Sequence, residues 1–465
     1  MNVFINPIQP TKSQFHLLKT LLLSNHERTR IWEKDVSYEI IYQDQPIQVI
    51  LSSTIVKRAS KKEKPRYEVI RDRGNPLCEK EKADPPLGVG GYAIVYPIDH
   101  TLKLKHGQLI RKLPKEGHTR VAKIFQSRNP AKRSRFIRDA HHEYLMESRT
   151  DHLHPKMPVI SQKQVVSILR YMAGHDLFDV QHHDMHAVNL QTKLARLHSA
   201  ELNANFEESY KKNILSLDTR FEFSILLLKA LKEQVFDLGL VHRDIKPENI
   251  CIDVHTKQIY IIDYGLAKID GPLRPSEKSV GTPGFISPEG LHAPRHLRLK
   301  GTKFFEDDKL EGTSQLSDIY SMGRVLTLFW GLGDMTSYDY AVDGPSILEY
   351  GFSNDYSTLF DLMPAEQRNR LDSRAAATIK IALEKMTAYL PEDRIDIQQA
   401  IDAFTKAKNL QYAAYSRCMQ PLIPLPIKQL KDKMHLTQFK PAQKSRDSDE
   451  NQLLIKSCSF VSSLP

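Results

Sequence analysis

The stretch Val241-His242-Arg243-Asp244-Ile245-Lys246-Pro247-Glu248-Asn249 decides how this chain is read. It sets one carboxylate (Asp244), one ammonium (Lys246) and one amide (Asn249) at short fixed spacing. Phosphoryl transfer needs those three groups: a carboxylate to accept a hydroxyl proton, an ammonium to neutralise a moving phosphoryl group, and an amide oxygen to hold a cation. Upstream, Phe223, Leu226, Leu227, Ala230, Leu231 and Val235 recur at helical spacing, and the pattern stops around Gly239, where glycine can take the left-handed cap. Downstream, Ile250, Ile252 and Val254, then Ile259 and Ile261, read as strand, turn and strand. They lead to Asp263-Tyr264-Gly265, which puts a second carboxylate at a strand end and suits Mg²⁺.

Nearer the N-terminus, Gly88-Val89-Gly90-Gly91-Tyr92-Ala93-Ile94-Val95 sets flexible residues between two short apolar strands. Glycines let a backbone approach phosphate closely and expose its N–H groups. Alone, the segment is equally a hairpin turn: no helix follows at once, as a dinucleotide fold requires, and the Gly-Lys-Ser/Thr ending of a P-loop is missing. The run from Val241 to Asn249, together with Asp263-Tyr264-Gly265, resembles the catalytic loop and metal-binding motif of eukaryotic-type serine/threonine protein kinases. The resemblance implies an α+β, bilobal fold. A small β-rich N-lobe with one main helix lies over a larger, mainly α-helical C-lobe, with MgATP in the cleft.

Carried over position by position, the resemblance makes Asp244 the residue that positions or deprotonates a Ser/Thr hydroxyl. Lys246 and Lys123, the latter in Val121-Ala122-Lys123, steady phosphate charge, and Asn249 and Asp263 hold Mg²⁺. Leu87, Gly88, Val89, Gly90, Gly91, Tyr92, Ala93 and Val95 form the loop over the nucleotide. Glu143 is the expected helix partner of Lys123, with Glu147, one turn later and in a position where the family carries an apolar residue, as the rival. In Ser167–Leu177 the resemblance places a hinge: Leu169 as gatekeeper, Met172 offering backbone groups to adenine, Asp176 toward the ribose, and Arg170 where a glutamate is common. Gly281–Glu289 is similar to the end of a kinase activation segment, with Ser287 in place of the usual alanine. Glu289 is expected to pair with Arg394, and Asp318 to hold the backbone of the catalytic loop. Lys246 and Thr282 favour serine/threonine over tyrosine acceptors. Arg243 before Asp244 marks control by phosphorylation of the activation segment, yet the usual acceptor position falls near Lys278, leaving Ser279 or Ser276 as substitutes.

The 465 residues carry 66 Lys+Arg against 56 Asp+Glu, a formal charge of +10, and are 40% hydrophobic, enough for a packed core. Four scattered cysteines (Cys78, Cys251, Cys418, Cys458) suit neither a zinc ribbon nor a disulfide scaffold and point to a reducing, cytoplasmic compartment. No run of about 20 apolar residues is present, so a soluble protein without a transmembrane segment is expected. Basic clusters at Lys57–Arg66 and Arg128–Arg138 are not interleaved with stacking aromatics, so no nucleic-acid partner is expected. The closely spaced histidines, His182, His183 and His186 and also His141, His142, His152 and His154, are not expected to hold zinc.

The sequence pattern sets off an N-terminal extension with a helix and a hairpin (1–84) and a partly flexible C-terminal tail (405–465) from a middle region that the resemblance implies is a kinase domain (85–404). Within it the resemblance implies an N-lobe (85–171), a hinge (172–176) and a C-lobe (177–404). Lys57–Pro65 reads as a loop or linker. Insertions fall at Val95–Lys123, at Leu177–Leu217 and after Glu289, where Arg295–Lys303 is basic and Glu306–Glu311 acidic. Such additions around a complete core resemble effector kinases that bacterial pathogens deliver into host cells, which implies a secretion signal in the tail. The expected partners are protein substrates with Ser/Thr acceptors. The rival readings are a pseudokinase scaffold, disfavoured because every chemical residue is present, and a small-molecule kinase of related fold, disfavoured by Gly281–Glu289.

Overall fold

In the computed structural model, residues 2–58, 65–72, 86–90, 93–114, 119–172 except 127–129, 174–180, 215–253, 256–271, 280–290 except 283, 312–332 and 356–419 except 362 and 364 are described. Residues 1–413 group as one compact unit and 414–465 as a second. Gly91, Tyr92, Ser276, Lys278 and Ser279, most of the insertion between Leu177 and Leu217, the charged addition Arg295–Glu311 and the tail beyond 419 lie outside the described residues.

Strand β1 (Asn2–Ile5) is followed by helix α1 (Lys12–Leu23). Thr11 starts the helix with a capping box: its hydroxyl accepts the Gln14 N–H (3.3 Å) and the Gln14 side chain accepts the Thr11 N–H (3.0 Å). Leu17, Leu18, Leu21 and Leu22 recur at helical spacing, and all four are buried. After β2 (Arg30–Trp32), β3 (Ser37–Tyr42) and β4 (Gln45–Leu51) form the expected hairpin, closed by Gln43 and Asp44, both at positive φ. β1 joins β4 in parallel, and one face of this small sheet packs with α1 around Ile5, Ile40, Val49, Leu51, Trp32 and Tyr67.

β5 (Ile55–Arg58), β6 (Arg66–Ile70), β7 (Gly88–Val89), β8 (Ala93–Lys105), β9 (Gln108–Lys112) and β10 (Arg120–Gln126) come next, followed by α2 (Pro130–Glu147), β11 (Lys156–Ile160) and β12 (Gln164–Arg170). They make one sheet in the order β11-β12-β10-β8-β6-β5-β2, with β7 and β9 as side branches on β8. β8 is the joint: its first half pairs with β7 and β10, its second half with β6 and β9. The end strands β11 and β2 also touch, so the sheet curls around Ile31, Val56, Ile70, Tyr96, Ile98, Ala122, Ile124, Val166 and Ile168. Each such side chain contributes about 1.5–3 kcal/mol when fully buried. Lys57 and Arg58 therefore sit in a strand and not in a linker. Their charges are compensated locally: the Lys57 ammonium donates to the Asn25 carbonyl (2.7 Å), and the Arg58 guanidinium donates to Glu68.

In the C-terminal part, β13 (His175–Asp176) precedes α3 (Leu217–Leu231), whose Ser216 cap accepts the Thr219 N–H at 3.1 Å. One π-helical turn, Lys232–Phe236, and Gly239 at φ +64° end the helix where the sequence places its cap. The short strands β14 (Leu240–Val241), β15 (Ile250–Asp253), β16 (Gln258–Ile261) and β17 (Lys268–Ile269) carry the chemical motif between them. α4 (Gln315–Phe329) is buried almost all round. It crosses α6 (Ser373–Met386) at Gly323, where a Cβ would meet Thr387 Cγ2 at 2.7 Å. α5 (Ala365–Arg370) and α7 (Ile397–Met419) complete the described elements. Among the described residues no helix is long and apolar enough to cross a membrane.

Candidate active site

The loop after β14 is held from below. Asp318, fully buried near the start of α4, accepts the backbone N–H groups of His242 (2.5 Å) and Arg243 (2.8 Å). Arg243 sits at φ +66°, a conformation that costs a non-glycine residue energy, and its guanidinium Nε donates to the Leu266 carbonyl at 2.6 Å. Burial lowers the His242 pKa, so its ring is neutral; Nε2 donates to the Ile262 carbonyl (3.1 Å) and Nδ1 accepts the Asp244 N–H (3.3 Å). Strain is thus fixed just before the residue that matters most.

Asp244 is the hub of the loop. Its Oδ1 accepts the Thr282 hydroxyl at 2.7 Å, and its Oδ2 accepts the Asn249 amide at 3.0 Å and lies 3.3 Å from the Lys246 ammonium. Lys246 also donates to Thr282 Oγ1 at 2.8 Å, so the three side chains close a ring. Asn249 spends its N–H₂ on Asp244, at Oδ2 and at the main-chain carbonyl (2.8 Å), so its amide oxygen is turned away from that contact.

On β10, Lys123 donates to Glu143 Oε1 on α2 (2.7 Å) and to Asp263 Oδ1 (2.9 Å). Burial disfavours the charge, but Glu143 and then Asp263 outweigh it and raise the lysine pKa well above its ordinary value. Asp263 takes the left-handed conformation (φ 64°), which Asp tolerates better than most residues, and against burial Lys123 holds its pKa below the usual value. Of the two candidate partners, Glu143 makes the ion pair. Glu147, the rival, is instead 1% exposed, with Oε1 lacking a hydrogen-bond partner. Burial first, and the Glu143 charge second, drive its pKa well above the ordinary carboxylate value. The sequence marks Glu147 as an oddity; its burial beside Glu143 and Lys123 emerges only from packing.

Two histidines that sequence reasoning leaves idle tie α2 and its neighbourhood to this site. His142 bonds to the Ala267 carbonyl (2.7 Å), and His152 to the Ile261 carbonyl (2.8 Å). Tyr264 is fully buried against the His242 ring (centroids 4.8 Å apart), and its hydroxyl donates to the Gln234 carbonyl. The glycine-rich segment is a strand turn: the Leu87 N–H donates to the Val95 carbonyl and the Gly90 N–H to the Ala93 carbonyl, with Leu87 and Val89 exposed. Met172 is buried, and Asp176 caps the next turn by accepting the Asp179 N–H (2.7 Å). Glu289 and Arg394 form a doubly hydrogen-bonded pair (2.6 and 2.8 Å), to which Ser317 adds a third bond at 2.7 Å.

A strained loop anchored by one buried aspartate, a carboxylate hub and a lysine clamped by two acids define a phosphotransferase-like centre between a sheet and a helical lobe. The protein kinase domain family model matches residues 155–403, more than half of the chain. The chain belongs to the protein kinase family, which uses ATP and a divalent metal on a two-lobed fold. The match begins after Lys123 and Glu143, so those two join the site through geometry. Curated relatives include human myosin light chain kinase family member 4 (32% identical; 28% of this chain, 26% of the relative). Another is serine/threonine-protein kinase cds1 of Schizosaccharomyces pombe (43%; 22% of this chain, 20% of the relative). A third is serine/threonine-protein kinase GD17699 of Drosophila simulans (28%; 44% of this chain, 22% of the relative). The chain thus spans about a quarter, or less, of the length of these relatives.

Proposed function

We propose that the protein transfers the γ-phosphoryl group of MgATP to serine or threonine hydroxyls of protein substrates. The observation that carries this reading is the ring of Asp244, Lys246 and Thr282, in which the carboxylate is held by a hydroxyl at 2.7 Å beside an ammonium at 3.3 Å. Asp244 accepts the acceptor hydroxyl's proton, a role worth about 10²–10⁴ in rate. Lys246 neutralises the moving charge, and Lys123, kept charged and aimed by Glu143, steadies the phosphates still on the nucleotide. Oxygen donors of the kind Mg²⁺ prefers are in place: the Asp263 carboxylate and the Asn249 amide oxygen, the latter left available because the N–H₂ faces Asp244. Bound there, the cation supplies electrostatic neutralisation of the phosphates. Thr282 and Lys246 side by side support a Ser/Thr acceptor, and the serine/threonine kinases among the relatives agree with it.

The test is ATP-dependent labelling of a generic basic protein by the full chain. Asp244→Asn and Lys123→Met are each expected to abolish it with far-UV circular dichroism unchanged, as is chelation of divalent metal in the wild type. Unchanged labelling in both variants rules the assignment out.

A further inference from the structure

The sheet brings basic residues together far from the catalytic loop. Arg58 on β5 faces Arg66 on β6, Arg66 faces Lys103 on β8, and Ile110 on β9 completes the row. The next row on the same face is Val56, Glu68, Thr101 and Lys112. From β10, Arg120 reaches Glu68 Oε1 at 3.1 Å, while the Thr101 hydroxyl donates to Glu68 Oε2 at 2.6 Å and Arg58 donates to Oε1. Arg58 and Arg120 therefore bind one carboxylate, and Arg66, Lys103 and Lys112 lie beside it in the same two rows. Arg66, Lys103 and Lys112 have no acidic partner among the described residues.

Folding does not call for this arrangement, since like charges directly opposite on neighbouring strands destabilise a sheet. Burial, then Arg66 and Lys112, press the Lys103 ammonium below its ordinary pKa, so the lysines crowd one another. The Arg58 side chain is 8% exposed, and its buried Nε has no partner. Lys112 and Ile110 are exposed and Arg120 is part-exposed, so solvent reaches the cluster. Arg120 and Lys123 are three residues apart on β10 and point to opposite faces, which separates the cluster from the nucleotide cleft.

We propose that this face is an anion site for a ligand carrying two or more closely spaced phosphate groups. Among the described residues, four positive charges remain after Glu68 is counted. Two phosphate monoesters, at about −1.5 to −2 each, neutralise them, and guanidinium forks match phosphate oxygens in pairs. The phosphates are those of a soluble inositol polyphosphate or of a phosphoinositide headgroup, and the experiment separates the two.

Isothermal titration of the full chain with inositol hexakisphosphate, in saturating MgADP to fill the cleft, is compared with Lys103→Glu/Lys112→Glu and with Lys385→Glu on α6. The first variant places acids beside Arg66 and so keeps the fold, as circular dichroism checks. It is expected to bind at least ~10-fold more weakly, and Lys385→Glu to stay within about twofold of wild type. Co-sedimentation with phosphatidylcholine vesicles containing phosphatidylinositol 4,5-bisphosphate, lost in the double variant, identifies a lipid headgroup. Titration without co-sedimentation identifies a soluble ligand. Binding of neither probe, or equal weakening by Lys385→Glu, overturns the proposal.

Discussion

Two charged clusters in this molecule are near mirror images. In the cleft, three carboxyls (Glu143, Glu147 and Asp263) gather around one ammonium, Lys123; on the curled sheet, two arginines bind one carboxylate, Glu68, with three more cations in the adjoining register positions. A third cluster, Glu289 with Arg394, is balanced one to one and sealed by Ser317. A buried pair with matched charge and full hydrogen bonding fixes geometry and needs nothing more. On the readings proposed above, an unmatched cluster shielded from water holds charge that a bound partner compensates: a cation among the carboxyls, an anion among the guanidinium and ammonium groups. Imbalance thus separates sites from scaffolding more cleanly than burial does, because all three clusters contain buried acids.

The largest effect that tests this contrast comes from removing the acid in the balanced pair and in the cationic cluster. Glu289→Gln strands a fully buried Arg394, and Glu68→Gln strands Arg58, whose side chain is 8% exposed. Each is expected to cost about 3–5 kcal/mol of stability. The two then diverge: millimolar inositol hexakisphosphate raises the melting temperature of Glu68→Gln by more than that of the wild type, and that of Glu289→Gln, whose sheet cluster is intact, only by the wild-type amount. Equal response of both, or of neither, breaks the distinction between site and scaffold.

What the sequence makes legible follows the same division. Asp244, Lys246 and Asn249 are contiguous, so their chemistry can be read directly, and Gly239 announces the helix end that precedes them. Lys123 and Glu143 are twenty positions apart and join only because β10 and α2 face each other; a family resemblance is needed to pair them. Glu289 and Arg394 are likewise found through resemblance. The sheet cluster draws on five strands from Arg58 to Arg120, and its members look like ordinary surface charges until the register of β5, β6, β8 and β9 is known. The N-terminal strands β2, β5 and β6 read as parts of an extension and linker, but they pair into the sheet that carries Lys123, because an apolar interior needed closing on that side.

A medium effect sharpens the cleft half of the comparison. Glu147 has a raised pKa in the folded protein, from burial first and Glu143 second. The native state therefore holds a proton that the unfolded chain releases above about pH 4.3, the ordinary glutamate value. That contribution to stability is complete below this value and declines as pH rises toward the native pKa, by up to about 1.4 kcal/mol per pH unit. Glu147→Gln keeps a donor for Glu143 and cannot ionise. Its stability advantage over wild type, by urea denaturation, is expected to grow from pH 4.5 to pH 8 with labelling activity retained. A difference that is flat across this range means that Glu147 is not the proton holder.

The smallest expected effect marks the boundary of the rule. Asp99 accepts from Arg71 (2.9 Å), Arg111 (2.9 Å) and His100 (2.7 Å), again more cations than acids, and the His100 hydrogen bond leads in drawing its pKa down to about 2. Here the arginines are 50% and 42% exposed, so water and salt compensate the surplus and no ligand is required. A lowered carboxyl pKa gives stability that is present above the unfolded value, near 4, and lost as pH falls toward 2. Asp99→Asn is accordingly expected to cost no more than about 1 kcal/mol at neutral pH. The cost shrinks in molar salt and vanishes below pH 2, with no response to inositol hexakisphosphate beyond that of wild type. A loss as large as that of Glu68→Gln means that charge imbalance acts even where solvent reaches it, and that exclusion of water is not what turns surplus charge into a site.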